Sequence, residues 1–352
     1  MSKVLITGLY DPTYPRNRIL INSFKKNAEV TEWPLQSRWW GGVKLAFYLT
    51  FSYRYKYAVI LQPIHFLLPF LLLIKYAPGR PKVILDAFIS IYDTNITDRK
   101  LASVNSLKAK FYRWLDKLTG KAGEGVLFDT EEHKNYFNLS SNLSQAVIPV
   151  VPDYDLLNNL KSEKKLLKSD KVNILFYGKY IPLQGVAIII EAARILQSEN
   201  NLHFTLIGGG QDYKKVKALA DVYNLENVTF YPRTSYPEII AALKSADIAL
   251  GVFGEGEKMQ RVIPNKVIEA LAVGMPLITG ESRAVERYFI NNQHLFLVPP
   301  SNPEALAQKI KEVASDLPQA KQIALMGQTQ AHQDFNEQLV EKRLSELLAR
   351  VE

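Results

Sequence analysis

Ala246–Gly280 reads ADIALGVFGEGEKMQRVIPNKVIEALAVGMPLITG, and the order of its parts decides the fold. An apolar run, a charged loop bearing glycine, a stretch of helical periodicity and a second apolar run follow one another. That is the pattern of strand, loop, helix and parallel strand. A loop that leaves the carboxyl end of a parallel strand and opens a helix presents unpaired backbone N–H groups and the positive end of a helix dipole, which favour a phosphate. Pro264 falls near the helix start, and Lys258, Arg261 and Lys266 add positive charge beside it.

The same alternation extends outward. Strand and helix signals fall at 172–178, 186–198, 203–208, 211–223, 227–231, 236–244, 247–252, 264–273, 276–279, 283–290, 295–298 and 303–315. Such a series predicts a parallel sheet with helices on both faces. Lys3–Gly8 (KVLITG) and Asn173–Gly178 (NILFYG) are short apolar runs ending in glycine, each the expected first strand of a Rossmann-like unit. Two such starts half a chain apart predict two domains, 1–165 and 166–330, with 331–352 forming a last amphipathic helix. The lysine-rich run Leu156–Lys171 reads as a linker or exposed helix between them. In the first domain Tyr57–Gln62 and Lys82–Asp86 read as buried strands, with Ile64–Tyr76 (IHFLLPFLLLIKY) as the apolar helix joining them. Gln62, Pro63, His65 and Pro69 break that stretch below the length a membrane span needs, so a buried crossover helix is the expectation.

The chain of 352 residues is long for a single core, and its 47% hydrophobic and 22% charged content is that of a globular protein. It has no cysteine, which excludes disulfides, thiolate metal sites and thiol nucleophiles. The five histidines, His65, His133, His203, His294 and His332, lack metal-ligand spacing. The start MSKVLITGLYDP enters a strand without a signal-peptide pattern, so a cytoplasmic location is expected. A net charge of +8 admits nucleic acid, anionic lipid or a phosphorylated substrate as partner and does not choose among them.

The run from Val172–Gly178 (VNILFYG) through Ile188–Leu196 (IIIEAARIL), Phe204–Gly210 (FTLIGGG), Val228–Pro232, ADIAL and Asn265–Pro276 (NKVIEALAVGMP) to Leu297–Leu306 (LVPPSNPEAL) resembles the donor-binding half of retaining glycosyltransferases of family four. The resemblance covers roughly the whole second half, in the family's order, and is much weaker in the first half. It implies the α/β GT-B fold, two facing Rossmann-like domains with a donor cleft between them, and a last helix that crosses back to the first domain. The family usually carries two glutamates seven residues apart, the second holding the donor ribose and the first near the transferred sugar. Glu269 matches the second, whereas Arg261 stands where the first belongs; Glu255 and Glu257 lie nearby in the same loop. Against the ribose reading stands a glutamate merely favourable to a helix.

By the same resemblance Gly178 and Lys179 meet the donor diphosphate, glycine allowing close approach and the cation offsetting charge. The family's next lysine is replaced by Gln184, with Lys258, Arg261 or Lys266 as candidate substitutes. Gly209, in a glycine run after a strand, reads either as a ligand contact or as a turn. Arg233 occupies the loop that lies beside the base in the family, and Pro264 and Asn265 open the donor helix. Asp86 ends its strand where relatives place a residue facing the sugar, often histidine; it reads equally as a sugar or acceptor partner and as a cap. Tyr10–Arg18 replaces the glycine-rich loop of many relatives.

Ser106–Lys121 (SLKAKFYRWLDKLTGK) sets Phe111, Trp114, Leu115 and Leu118 at helical spacing among cations that include Arg113 and Lys117. Two readings stand, an apolar stripe packed on the sheet and an acceptor or membrane side suited to anionic lipid at the inner face of the membrane. No basic and aromatic array of a nucleic-acid module is present. The expectation is a metal-independent hexosyltransferase without cofactor, moving sugar with retention from a nucleotide-sugar donor to an unidentified hydroxyl acceptor, with Asp86, Lys179 and Glu269 as catalytic candidates. Metal independence rests on phosphate neutralisation by cations and a helix dipole and on the lack of a paired-aspartate motif. A sugar-nucleotide epimerase, a non-catalytic nucleotide-sugar binder and a partner-dependent subunit are the alternatives.

Overall fold

The computed structural model describes residues 2–160, 167 and 170–351. The chain forms two compact units, Met1–Val151 with Asn336–Glu352, and Pro152–Phe335. The boundary expected at 165/166, and half of the lysine-rich run around it, lie outside the described residues.

The first unit is built from β1 (Ser2–Gly8), α1 (Pro15–Asn27), β2 (Ala28–Pro34), α2 (Trp39–Thr50), β3 (Tyr57–Leu61), α3 (Leu68–Leu73), β4 (Lys82–Asp86), a π-helical stretch (Asp93–Asp98), α4 (Leu107–Ala122), β5 (Gly125–Phe128), α5 (Glu131–Phe137) and β6 (Ser144–Val147), completed by α14 (Glu337–Val351). Its six parallel strands run in the order β2-β1-β3-β4-β5-β6. On one face α2, α3 and α4 pack through Leu45, Leu49, Leu68, Leu71, Leu115 and Leu118 onto Leu5, Ile60 and Leu85. Near the other end of the sheet, Arg343 of α14 donates to the Val147 carbonyl at 2.8 Å, and Lys26 of α1 meets Glu337 and Glu341.

The apolar helix is shorter than its composition suggests, Leu68–Leu73 rather than Ile64–Tyr76. Pro69 lacks an N–H and fits only a first turn, so the helix starts at its threshold. Ile64 and Leu67 are buried all the same, in the turn before it.

The second unit comprises α6 (Tyr154–Asn159), β7 (Val172–Lys179), α7 (Val186–Ile195), β8 (Leu202–Gly209), α8 (Tyr213–Val222), β9 (Val228–Tyr231), α9 (Tyr236–Ser245), β10 (Ile248–Leu250), α10 (Asn265–Ala272), β11 (Leu277–Gly280), α11 (Arg283–Glu286), β12 (Phe296–Val298), α12 (Pro303–Ser315) and α13 (Leu317–Asp334). Its parallel sheet has the order β12-β11-β10-β7-β8-β9. Counted from its own first strand this is the doubly wound arrangement in which the order reverses between β7 and β10, and ligands bind outside the carboxyl ends of strands at such a reversal. One core joins α7 and α12 to the sheet through Ile189, Ile190, Leu306 and Ile310. The other joins α9 and α10 through Ile240, Leu243, Val267 and Leu271. All of α10 from Lys266 to Ala272 is buried, so two ionisable side chains lie inside the protein with it.

Candidate functional site

The reversal point gathers side chains from β7, the turn after it, α9 and α10. Gly178 ends the apolar part of β7 at φ +146°, a backbone conformation that favours glycine, and a Cβ there would lie 2.9 Å from Lys266 Nζ. Lys266 Nζ donates to Gln184 Oε1 at 2.5 Å and sits 3.7 Å from the centroid of the Phe176 ring. The ring face supplies negative potential to a cation that has lost its water. Burial holds the Lys266 amine well below its ordinary value, with Glu269 pulling the other way.

Lys266 and Glu269 are three residues apart on α10 and therefore share a face. The Glu269 carboxylate accepts from Tyr177 Oη at 2.6 Å and from Tyr236 Oη at 2.7 Å. Burial pushes its carboxyl above the usual range, against the two hydroxyls and Lys266, which favour the ionised form. Burial, then the Glu269 charge, raises the Tyr177 phenol well above its ordinary value, so Tyr177 stays a donor. An ionised carboxylate has about four acceptor positions, and two tyrosines leave room for further donors.

Before α10, Arg261 is buried and its Nη1 lies 3.4 Å from Glu257 Oε2, which also accepts from Arg283 at 2.8 Å. The Arg283 hydrogen bond, helped by both guanidinium charges, holds Glu257 below the usual carboxylate range. Thus the arginine at the place where the resemblance implies a glutamate has as partner a glutamate four residues earlier. Glu255 is exposed and Lys258 half-buried. Pro264 occupies the position capping α10 and Asn265 is its first residue. Lys179 is exposed at the end of β7, in register with Gly209, where a side chain would meet open space. Arg233 is exposed in the loop that leads to Tyr236.

The sequence reading named Gly178, Lys266 and Glu269, which the structure brings together, but it missed Tyr177 and Tyr236. Tyr177 carried a signal: it is a hydroxyl-bearing side chain in an otherwise apolar run, directly before the glycine and on the same face as Leu175. Tyr236 carried none, since it reaches Glu269 only through folding.

Asp86 is corrected. It is fully buried in the first unit, and Arg16 holds it with Nε at 2.9 Å and Nη2 at 2.7 Å from Oδ1. Arg16 also donates to the carbonyls of Ile148 at 2.6 Å and Phe128 at 3.2 Å. Burial pushes the Asp86 carboxyl up and Arg16 opposes it. Held this way, Arg16 ties Asp86 at the end of β4 to the ends of β5 and β6.

The basic helix α4 divides its apolar residues. Leu115 and Leu118 enter the core, whereas Phe111 and Trp114 are stacked on each other, half-exposed, with ring centroids 5.7 Å apart. Arg113 donates to Tyr92 Oη at 2.6 Å, and Lys117 is exposed.

Residues 158–329 match the family model of glycosyl transferases group 1. The putative colanic acid biosynthesis glycosyltransferase WcaL of Escherichia coli K12 is 26% identical over 183 residues, 50% of this chain and 45% of that protein. The amylovoran biosynthesis glycosyltransferase AmsK of Erwinia amylovora is 26% identical over 186 residues, 51% of this chain and 45% of that protein. The matches span about half the length of these curated relatives. Among solved structures, Anabaena HepE in complex with UDP-glucose aligns over 99% of this chain and 100% of its own, with a TM-score of 0.77 at 15% identity. Sucrose-phosphate synthase of Thermosynechococcus elongatus aligns over 100% and 99%, with a TM-score of 0.78 at 14% identity. These likenesses show the fold, GT-B with its two Rossmann-like domains. With the doubly wound order of its sheet and the residues gathered at the reversal point, the second unit belongs to the glycosyl transferases group 1 family.

Proposed function

We propose that the protein is a glycosyltransferase that takes a hexose from a nucleoside-diphosphate sugar and passes it to a hydroxyl acceptor, with retention and without a metal ion. The observation that carries this reading is the buried Lys266 ammonium held beside Gly178 and Gln184, three residues before Glu269. The pair offers a cation for a diphosphate and a carboxylate for the ribose hydroxyls. Lys179, Arg233, Lys258, Arg261 and the start of α10 supply the rest of a phosphate and base site. HepE, a protein of the same fold, has been crystallised with UDP and with UDP-glucose, which supports a nucleotide-sugar donor here as well.

In this reading the bond from the sugar carbon to the diphosphate oxygen breaks as the acceptor oxygen approaches from the same face, and the acceptor proton passes to the departing diphosphate. No protein nucleophile is needed. The protein's work is to stabilise the charge that grows on the leaving group. The biosynthetic relatives favour a glycan or lipid-linked acceptor.

The test is release of nucleoside diphosphate from UDP-, GDP-, ADP- and TDP-sugars in the presence of a bacterial glycan and lipid extract, with EDTA in a parallel series. Release that requires the extract, survives EDTA and falls at least tenfold in Lys179→Ala is expected. Sugar interconversion without any acceptor would replace transfer by epimerisation, and binding without release would leave a non-catalytic binder.

A further inference from the structure

Helix α2 carries its apolar residues on the wrong side for a globular domain. Gly41, Gly42, Leu45 and Leu49 face the core. Trp39 is 70% exposed, Trp40 73%, Val43 48%, Phe47 70% and Phe51, at the helix end, 61%. At about 100° per residue these five fall within an arc of about 120° on the outer side, with Lys44 on its border. Tyr53 continues the surface beyond the helix. A helix apolar on all sides is one whose outer face is covered.

The charge around it says by what. Between Glu32 and Asp86 the sequence contains no acidic residue, and its charges are Arg38, Lys44, Arg54, Lys56, Lys75, Arg80 and Lys82. Arg80 is paired with Glu124. Arg38 and Lys44 are exposed at the start of α2 and on it, and Arg54 and Lys56 are exposed in the segment that follows it. Tryptophan and phenylalanine backed by cations on long stems match the headgroup boundary of an anionic bilayer, where rings enter the acyl edge and lysine and arginine reach the phosphates. A second copy of the chain would bring this cationic surface against itself. No helix among the described residues is long and apolar enough to cross a membrane, so the contact is one of lying on the surface.

We propose that the outer face of α2, Trp39, Trp40, Val43 and Phe47 with Phe51, is a docking surface for anionic lipid, and that it rather than the Phe111–Trp114 pair of α4 penetrates the bilayer. The proposal does not rest on the donor site.

The chain has four tryptophans, Trp33, Trp39, Trp40 and Trp114, which makes quenching by brominated lipid a direct readout. The full chain is mixed with phosphatidylcholine vesicles containing phosphatidylglycerol and brominated acyl chains. Strong quenching is expected in the wild type and in Trp114→Phe, with most of it lost in the double variant Trp39→Phe/Trp40→Phe. Phe47→Ser should lower the vesicle-bound fraction at least tenfold while the melting temperature, read in parallel, stays put. Vesicles of phosphatidylcholine alone should bind weakly. Quenching that follows Trp114 instead, equal binding by Phe47→Ser, or no binding by the wild type would each overturn the proposal. So would a dimer in light scattering that Phe47→Ser dissolves, which would make a second copy the occupant.

Discussion

Lys266 Nζ and Gln184 Oε1 meet at 2.5 Å across 82 residues of sequence, one on α10 and the other in the turn after β7. The resemblance of the sequence to family-four glycosyltransferases implies a lysine where Gln184 stands. The structure brings a cation to that place from another element, with glutamine as its hydrogen-bond acceptor.

Removal of this cation should weaken donor binding specifically. Lys266→Gln is expected to raise the Kd for nucleoside diphosphate about 10- to 100-fold, the range for loss of a charge-assisted hydrogen bond. The swap Gln184→Lys/Lys266→Gln should recover a substantial part of it. Isothermal titration of the single and double variants measures both, and a swap no better than the single variant would show that position, not charge, matters.

The depressed amine makes binding proton-linked. A diphosphate placed beside Lys266 favours its charged form, so the bound state holds more protons than the free one. Affinity should therefore fall as pH rises from Lys266's lowered pKa in the free protein toward its higher pKa in the complex. Glu269 and Tyr177 face the same region, and burial pushes the Glu269 carboxyl up, so its proton enters the same linkage. Titration in two buffers of different ionisation heat should report proton uptake in wild type and none in Lys266→Met.

The Arg16–Asp86 pair is expected to govern stability and not turnover. Arg16→Met leaves a fully buried carboxylate without its partner, which costs about 3–5 kcal/mol. Asp86→Leu/Arg16→Met together should cost less than the sum of the single changes. Denaturant unfolding measures the cycle, while activity per folded molecule of Asp86→Asn should remain near wild type.

Much of the second unit was legible because strand and helix there differ in period and composition: the expected segment 264–273 is α10, Asn265–Ala272, and 303–315 is α12. The 18-residue helix α13 was not read. Its buried face is Ala320, Ala324, Gly327 and Ala331, small residues that give little hydropathy signal but allow close packing. At Gly327 a Cβ would lie 2.1 Å from the His294 carbonyl oxygen. Gly327→Val should therefore lower stability by about 1–3 kcal/mol or more, measurable by denaturant unfolding. In the site, motif residues on α10 and β7 were legible, whereas Arg16 with Asp86 and Tyr236 with Glu269 are pairs that only tertiary folding makes.

The central claim, that the second unit holds a nucleotide-sugar donor through Lys266 and Glu269, is tested most directly by thermal shift with UDP-, GDP-, ADP- and TDP-sugars. Ligand at a hundredfold excess over Kd stabilises the folded state by about 2.7 kcal/mol. The account predicts a rise in melting temperature with one nucleotide series, unchanged by magnesium, lost in Glu269→Ala and cut to about half or less in Lys266→Met. A shift that persists undiminished in those two variants would contradict it.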